Sequence, residues 1–579
     1  MYRSKSLGLG LLLLFGLPAL AQTDARSGAD GPQGEFVGIG WVAPTIIDTR
    51  TIQPQIQGGW PWTGPIENVH DHLPPHYNDR VLPLGAPNQL LVGGLLDLPR
   101  VLTGEGYTFP GIQQTRYSPP DLTIGVGPNH VIATVNATLA FFSKTGTLEF
   151  SIVLDNTGNP GFFEEVGALN FVVDPKCFYD HIARRYVVLA IEVYFGSSAW
   201  LDVAVSDDDD PHGVWYKYRT PAEIPVGQGI YWVDYPSCGY DAQAIYTGGN
   251  LFLLKGSGGQ TAGILFRVYD KAPMLGGNPT TYADLRDGAH FSGQAGHHFG
   301  ANQAAFYAGV DTTSSIRIYA IKDPLGTPTL DSAAVTVPAF VPSSRNSAPN
   351  NGGMVDPLDG RVFNVHWRNG HLYTGHPINV GGVNKARWYH FDTGDWPNSG
   401  TPTLVESGNV DAGPNIHTYY PTLWENRRGD VGMVLARSAT NEYVSVQITG
   451  RHRSDPAGTM GQLRQLYIGD RTASGRWGDY YGITTDPTDD FTFWCVGQYQ
   501  SVGGWGSWIE SFTVGGKLGD ANCDGIVNNF DIDPFTLALS DPVGYKNAYP
   551  NCDILNADAN MDGVVDNFDI DPFVKLLTP

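Results

Sequence analysis

The residues with the clearest chemistry lie near the C-terminus, where one acidic motif, Asp-x-Asn-x-Asp-Gly-x5-Asp, occurs twice in tandem. Calcium takes about six to eight oxygen ligands, and one short loop can supply most of them. Oxygen side chains at positions 1, 3 and 5 converge on one side of the ion, and Gly at position 6 permits the sharp turn. Position 7 offers a carbonyl, position 9 a side chain or water, and position 12 a closing carboxylate. The motif therefore predicts two Ca²⁺ ions, with these ligands: Asp520, Asn522, Asp524, Ile526, Asn528, Asp531, Asp558, Asn560, Asp562, Val564, Asp566 and Asp569.

A second set of acidic residues stands at predicted turns of the large central region. The set consists of Asp121, Asp174, Asp234 and Asp479. If the strands that follow these turns start at one mouth of a ring, the four carboxylates would bind a metal ion there or supply the acid and base of a glycosidase. The alternative is that each aspartate caps its own turn, a role for which Asp is well suited.

Other polar motifs are weaker candidates. His70-x-His72-x3-His76 has imidazoles suited to zinc or copper, but it lies in a Pro-rich stretch, which favours an ordinary loop. His297-His298 is weaker still, and Asp207 to Asp210 predicts a solvated turn, with a calcium-assisted turn as the alternative. The sequence contains no sialidase Asp box, Gly-x-Ser-x-Gly or His-Glu-x-x-His, which weighs against sialidases, serine hydrolases and metalloproteases.

The elements that must position these residues are predicted to be strands. Val187 to Val193 is an apolar run typical of a buried strand, and Leu201 to Val205 alternates like a half-buried one. Units recur about every 55–70 residues between Pro120 and Val514, each opening with a turn. The predicted openings are Pro120-Asp121, Asp174-Pro175, Asp234-Tyr-Pro236, Asn302-Gln303, Gly360-Arg361, Tyr420-Pro421 and Gly478-Asp479.

Several strands per unit at this period predict a β-propeller, in which blades cover one another's faces around an axis. Seven blades are predicted, with six or eight as alternatives, and a pair of β-sandwiches or a β-helix competes with the propeller. The 72 glycines and 41 prolines agree with many turns and argue against a mostly helical protein. The predicted fold class is mainly β, a seven-bladed propeller followed by a small α-helical calcium-binding domain.

The N-terminus has the pattern of a secretory signal. Arg3 and Lys5 precede an apolar stretch, Leu7 to Leu17, which is too short to span a bilayer, and Ala19-Leu20-Ala21 is a small-x-small cleavage site. A signal peptide over residues 1–21 is predicted, with an uncleaved anchor as the alternative. No transmembrane segment is expected in the mature chain, and the product is expected to be secreted or attached to the cell surface.

Charge and cysteines agree with this location. Lys and Arg total 35 and Asp and Glu total 58, so the net charge is −23, which disfavours a nucleic-acid partner and suits cation binding. Five cysteines in an exported protein permit disulfides. Cys523 and Cys552, both in Asn-Cys-Asp, are predicted to pair. Cys177, Cys238 and Cys495 are predicted to be buried small hydrophobes, or one disulfide and a leftover thiol.

The C-terminal repeat resembles a dockerin domain, because each loop is followed by a predicted short helix, Phe530 to Leu539 and Phe568 to Leu577. The resemblance implies a fold that requires calcium and docks into a cohesin on a scaffold or surface protein. In that family loop positions 10 and 11 face the cohesin. Here they are Asn529-Phe530 and Asn567-Phe568, not the small hydroxyl residues common in cellulosomal dockerins. A calcium clasp or retention tag without a cohesin is the alternative.

The large region resembles a family of exported bacterial propeller-like proteins whose activity the resemblance does not name. The resemblance rests on phrases such as Val126-Gly-Pro-Asn-His130 and Arg476-Trp-Gly-Asp-Tyr480. The predicted boundaries are residues 22–115 for a Gly/Pro-rich segment that packs on the propeller, 116–515 for the propeller and 516–579 for the dockerin-like domain. Two functions are compatible with this organisation: a propeller that binds a glycan or protein, and a carbohydrate-active hydrolase or lyase that degrades polysaccharide.

Overall fold

Short antiparallel strands joined by turns dominate the computed structural model, which describes residues 34–52, 64–69, 106–158, 160–169, 171–524, 526–550 and 552–577. The predicted signal peptide and the His70, His72 and His76 motif lie outside the described residues. The strands of the N-terminal segment are β1 (Glu35–Val42), β2 (Thr45–Asp48), β3 (Glu67–Asn68), β4 (Thr108–Gln113) and β5 (Tyr117–Ser118).

Each of the first four blades is a four-stranded antiparallel meander. Blade 1 contains β6 (Thr123–Val126), β7 (His130–Val135), β8 (Thr138–Ser143) and β9 (Leu148–Val153). Blade 2 contains β10 (Val172–Asp180), β11 (Arg185–Tyr194), β12 (Ser198–Ser206) and β13 (Val214–Pro221), and β14 (Ile224–Val226) follows it. Blade 3 contains β15 (Gly229–Tyr240), β16 (Ala244–Gly256), β17 (Thr261–Asp270) and β18 (Thr280–Asp287), with the short helix α1 (Lys271–Met274) before its last strand. Blade 4 contains β19 (Gln294–Phe299), β20 (Ala305–Thr312), β21 (Ser315–Lys322) and β22 (Thr329–Thr336).

Three further blades complete the ring. The short strands β23 (Val341–Pro342), β24 (Ala348–Asn350) and β25 (Gly353–Asp356) precede blade 5. Blade 5 contains β26 (Val365–Arg368), β27 (His371–Val380), β28 (Val383–Asp392) and β29 (Thr403–Val410). Blade 6 contains β30 (His417–Glu425), β31 (Val431–Ala439), β32 (Glu442–Arg451) and β33 (Arg464–Ile468), and β34 (Gly475–Arg476) follows it. Blade 7 contains β35 (Gly482–Thr485), β36 (Phe493–Ser501), β37 (Gly504–Phe512) and, as its outermost strand, β4.

The innermost strands close a circle around the axis. Each innermost strand contacts the next one along the chain, and the last contacts the first. In order, these strands are β6, β10, β15, β19, β26, β30 and β35. The prediction of a seven-bladed propeller is therefore confirmed. Three strands of the N-terminal segment also join blades: β4 is the outer strand of blade 7, β1 extends blade 3 and β2 extends blade 2. The predicted start of the propeller at residue 116 thus leaves out the strand that closes its last blade, because the sequence does not show pairing between such distant segments.

A residue with positive φ lies just before each innermost strand or at a register shift within it. These residues are Asp121, Asp174, Tyr235, Ser292, Gly360, Tyr420 and Gly478. Six of the seven predicted openings coincide with this feature or adjoin it, but Asn302-Gln303 lies between β19 and β20, so that prediction was wrong. Blade 4 opens at Ser292, where the sequence carries neither the Asp nor the Pro that marked other openings.

The core consists of apolar layers between neighbouring blades. Leu201, Val203 and Val205 of β12 pack toward blade 3, whereas Ala204 packs toward blade 1. The predicted half-buried alternation of this strand was wrong, because a blade in a ring is covered on both faces. Cys177, Cys238 and Cys495 are free and buried, as small hydrophobes would be.

The C-terminal residues form a small helical module. Its helices are α2 (Ile532–Ser540), α3 (Pro542–Ala548) and α4 (Ile570–Leu577). The rings of Phe535 and Phe573, one from each repeat, stack at a centroid distance of 3.9 Å in its core. The predicted disulfide between Cys523 and Cys552 is present. None of the described helices has the length and apolar content to cross a membrane.

The module contacts the propeller through one charged junction. Arg428 Nη2 donates to Asp553 Oδ2 at 2.7 Å, and His452 Nε2 lies 2.7 Å from the same oxygen. Burial raises the pKa of Asp553, but His452 and Arg428 outweigh it and hold the pKa at about 2. Propeller and module accordingly belong to the same compact part of the chain, Pro32–Pro579.

Candidate functional site

The inner strands bring the predicted aspartates Asp121, Asp174 and Asp479 into one hydrogen-bonded group on the propeller axis. Asp121 Oδ1 accepts from the Asp479 N–H at 2.7 Å, and its Oδ2 accepts from Asn136 Nδ2 at 2.5 Å. The same Asn136 side chain uses Oδ1 to accept from the Asp174 N–H at 2.8 Å. Asn136 therefore ties the openings of blades 1 and 2 together. Its role was not predicted; it directly follows β7.

Three basic side chains accompany the carboxylates. Arg476 forms an ion pair with Asp479. Lys176 Nζ lies 2.7 Å from the centroid of the Tyr480 ring, and Arg361 binds Asp359 with two hydrogen bonds of 2.8 and 2.6 Å. Sequence reasoning missed all three. Arg476 offered a signal, because it stands three residues before Asp479, whereas Arg361 and Lys176 require the folded ring to reach the axis.

Burial makes these groups electrostatically unusual. Burial, reinforced by Asp479, raises the pKa of Asp174 to about 7 and that of Asp234 to about 8. The pKa of Asp121 is raised well above its usual value by burial and then by Asp479 and Asp174. Burial lowers the pKa of Lys176 to about 7, although the nearby carboxylates oppose the shift. These shifts bring the pKa values of Asp174, Asp234 and Lys176 close to neutral. We call the set Asp121, Asp174, Asp234, Asp479, Lys176 and Arg476 the axial cluster.

Aromatic rings restrict access to the axial cluster. Tyr235 and Tyr480 stack with their centroids 5.0 Å apart, and both are buried. The exposed fraction of Asp121 is 2% and that of Asp174 is 6%. A channel cavity of about 70 Å³, lined by residues of all seven inner strands or the turns beside them, includes Lys176. The arrangement can hold protons or a few water molecules, but it is too small to admit a polysaccharide chain without rearrangement.

The other weak candidates are not members of the axial cluster. His298 is a satisfied core histidine, since Nδ1 is 3.0 Å from Tyr240 O and Nε2 accepts from the Phe306 N–H at 2.8 Å. His297 lines the channel, and burial lowers its pKa to about 3. Asp207 to Asp210 form the turn between β12 and β13.

The two C-terminal loops have the same internal hydrogen bonds. In the first, Asp520 Oδ1 and Asn522 Oδ1 accept from the Asp524 N–H at 3.0 and 2.8 Å. In the second, Asp558 Oδ1 and Asn560 Oδ1 accept from the Asp562 N–H at 3.0 and 2.8 Å. In each loop, the side chains at positions 1 and 3 therefore accept hydrogen bonds from the backbone N–H of position 5 with the same geometry.

Position 12 closes each loop. Asp531 accepts from the Asn522 and Asn528 N–H groups at 3.1 and 2.8 Å, and Asp569 accepts from the corresponding N–H groups at 2.9 and 2.8 Å. The position-9 side chains, Asn528 and Asp566, act as N-caps of the following turns. Ile526 and Val564 at position 7 are exposed.

The donor set of the loops fits calcium, because it consists of carboxylate and amide oxygens with lone pairs left over after these hydrogen bonds. Asp531 and Asp569 are fully buried. In the second loop, the pKa of Asp558 is raised, first by burial and then by the Asp569 and Asp562 carboxylates. Hydrogen bonds from the Gly563 and Asp562 N–H groups lower this pKa but do not cancel the rise. A cation bound among these oxygens would relieve that repulsion.

Comparison with known proteins yields structural similarity alone. No family model and no curated protein matches the chain. Among solved structures, a TolB protein from Agrobacterium tumefaciens is 10% identical at a TM-score of 0.27, covering 69% of this chain and 92% of its own. A GH43 endo-arabinanase from Bacillus licheniformis is 12% identical (TM-score 0.25, 63% and 98% covered). An α-L-arabinanase from Penicillium chrysogenum is 10% identical (TM-score 0.31, 72% and 99% covered).

Proposed function

We propose that this is an exported protein whose C-terminal module binds two calcium ions and, so loaded, attaches the propeller to a scaffold or cell-surface protein. The observation that carries the proposal is the matching set of oxygen acceptors in two loops of one small module. The disulfide between Cys523 and Cys552 supports export, because such bonds persist in oxidising compartments. The predicted signal peptide agrees with that location.

We propose that the attachment surface consists of two exposed apolar residues in each repeat, a phenylalanine and the isoleucine two positions after it. Phe530 and Phe568 are each 78% exposed, and Ile532 and Ile570 are each 43% exposed. Large apolar side chains exposed in one place mark protein contact sites more often than isolated ones do. Because both repeats present the same residues, we propose a cohesin-like partner that can be bound in two symmetry-related orientations.

Calcium titration of the full chain tests this proposal. We expect isothermal titration calorimetry to show two bound calcium ions, and calcium to raise the unfolding temperature of the module. Asp520→Ala combined with Asp558→Ala should abolish both effects. The control is Asp533→Ala with Asp571→Ala, which removes the same charge from exposed positions just outside the loops. Identical calcium responses of the two double variants would refute the proposal.

For the propeller we propose binding of a glycan or protein ligand, because the carboxylates of the axial cluster are buried and out of reach of a polymer. The second candidate is a polysaccharide hydrolase or lyase, and one observation favours it. The pKa values of Asp174 and Asp234, about 7 and 8, suit a general acid at neutral pH. The hydrolase would require the two tyrosine rings to move apart.

A panel of polysaccharides separates the two candidates. The full chain is incubated with each polymer in calcium, and released oligosaccharides are measured by chromatography. Depletion of the protein onto a polymer without product supports the binding function. Product release that is lost in both Asp174→Asn and Asp479→Asn supports the hydrolase, provided that both variants keep the wild-type circular dichroism spectrum.

A further inference from the structure

Two imidazoles and two carboxylates face one another where blades 1 and 2 meet. Among the described residues, His130, Asp210 and His212 are the one group of at least three His, Cys, Asp or Glu side chains whose ligand atoms all lie within 4.8 Å of one another. His130 begins β7, and Asp210 and His212 lie in the turn between β12 and β13. We call these three residues and Glu149 of β9 the interblade cluster.

The distances in the interblade cluster suit a first-row transition metal. Asp210 Oδ1 lies 2.9 Å from His212 Nδ1 and 3.7 Å from His130 Nε2. Ligand atoms bound tetrahedrally to zinc at about 2.0–2.1 Å are separated by about 3.4 Å, which lies between the two observed values. All three ligand atoms lie within 4.8 Å of one another, and the Asp210 side chain is half exposed, so it has room to adjust to an ion.

Glu149 orients one of the imidazoles. Its Oε2 lies 2.8 Å from His130 Nδ1, which leaves Nε2 of the same ring directed toward Asp210. Metal-binding histidines commonly donate their second ring N–H to a carboxylate, which fixes the tautomer and the ring orientation. The Glu149 oxygen is also 3.8 Å from His212 Nε2, so it lies beside both rings.

The turn that carries His212 is held in place. The Trp215 indole N–H donates to Pro211 O at 2.8 Å, and Thr49 Oγ1 donates to Gly213 O at 3.0 Å. The ring of His212 packs edge-on against Phe141, with centroids 5.3 Å apart. On the other blade, Tyr186 Oη donates to the carbonyl of His130 at 2.9 Å. Both imidazoles are therefore positioned before any ion arrives.

We infer that the interblade cluster is a binding site for a divalent transition-metal ion, with Zn²⁺ bound by His130 Nε2, Asp210 and His212 and with Glu149 positioning His130. Imidazole nitrogens distinguish this site from the C-terminal loops, whose oxygens suit calcium. The ion joins two blades that are otherwise connected at this edge by side-chain contacts. A fourth coordination position remains for water, since the four side chains are partly exposed.

A second histidine group provides a matched control. His290 lies 2.6 Å from Asp287 and 3.0 Å from Asp311, so it too joins two carboxylates. It has one imidazole instead of two, and its carboxylates also accept from Arg317 at 2.8 Å and from Tyr319 at 3.1 Å. The Arg317 guanidinium already balances the charge of this group, and its single imidazole gives a transition metal one nitrogen ligand instead of two.

The test uses the metal-free full chain, with calcium in excess so that the C-terminal loops are occupied. Zn²⁺ binding is measured by calorimetry, and Co²⁺ serves as a probe through its visible d–d absorption. We expect one zinc ion per wild-type chain. His130→Ala or His212→Ala should weaken binding by more than about 100-fold, the upper range for loss of a residue that only orients a ligand. His290→Ala should leave zinc affinity unchanged.

Two milder variants keep the proposal testable if an alanine variant does not fold. His212→Gln should remove the zinc site, and Glu149→Gln should weaken it by about 10–100-fold. Failure of the wild-type chain to bind zinc overturns the proposal, as does wild-type zinc affinity in both milder variants. None of these outcomes depends on calcium binding by the C-terminal module or on the ligand of the propeller.

Discussion

The axial cluster and the C-terminal loops both gather carboxylates, but they balance the negative charge differently. On the axis, Arg476 pairs with Asp479 and Lys176 lies beside Tyr480, so protein cations accompany buried acids. In the loops, carboxylates such as Asp531 accept backbone N–H groups instead. We propose that the axial cluster, which contains its own cations, is a structural centre, and that the loops take up an external cation.

The two regions also differ in how far apart their residues lie in the chain. Asp479 reaches Asp121 across 358 residues, whereas Asp531 closes its loop on Asn522, nine residues away. The axial cluster therefore exists only when the ring is closed. The loops can form locally, and we expect calcium and the disulfide to stabilise them. Four predictions follow from this difference, in order of decreasing effect.

Arg476→Met should be the most destabilising change, because it leaves Asp479 buried without its ion-pair partner. Removing one member of a buried pair costs about 3–5 kcal/mol. Urea unfolding, monitored by tryptophan fluorescence of the propeller, measures the loss, and added calcium should not restore it. The control is Arg476→Lys, which keeps the charge. Equal stability of wild type and Arg476→Met would show that the axial cluster does not depend on its own cations.

Loss of the disulfide should destabilise the module rather than the propeller. The bond between Cys523 and Cys552 joins residues 29 apart, and closing a loop of that length in the unfolded chain is worth about 3–4 kcal/mol. We expect Cys523→Ser with Cys552→Ser to accelerate hydrogen exchange in residues 520–577 when calcium is chelated, and calcium to restore part of the protection. Uniform loss of protection in the blades would contradict the separation of the two regions.

Sequence reasoning worked where structure is local. The tandem Asp motif predicted the twelve-residue loops and the short helices that follow them. The seven-bladed ring was predicted from local units, because Asp, Pro and apolar runs mark turns and strands that recur along the chain. The opening at Ser292 was missed because it carries no such mark, and β4 was missed as a blade strand because its partner, β37, is about 400 residues away. Lys176 and Arg361 could not be placed for the same reason, and His130 and His212 meet only after blades 1 and 2 pack together.

Asp234 should give the stability of the propeller a pH dependence that extends to neutral pH. Burial and then Asp479 raise the pKa of Asp234 from 3.8 to about 8. Between these values the folded protein keeps a proton that the unfolded chain has lost, so the free energy of unfolding falls as pH rises. Asp234→Asn removes this contribution, and the variant should gain about 1.4 kcal/mol per pH unit relative to wild type between about pH 5 and pH 7. Urea unfolding across this range measures the gain, and parallel pH profiles would contradict it.

The smallest effect should come from the proposed attachment surface. Phe530 is 78% exposed, so Phe530→Ala should change stability by no more than about 0.5 kcal/mol and leave calcium affinity unchanged. Phe535, five residues later, stacks on Phe573 in the module core, so Phe535→Ala is the matched contrast and should cost about 3–5 kcal/mol. Thermal unfolding in calcium measures both variants. A large loss in Phe530→Ala would mean that this ring stabilises the module itself, and the exposed pair Phe530 and Phe568 would no longer be available to explain attachment. A negligible loss of stability would show that the module does not need the Phe530 ring to fold. Binding of a partner would then explain why both repeats expose the same aromatic ring.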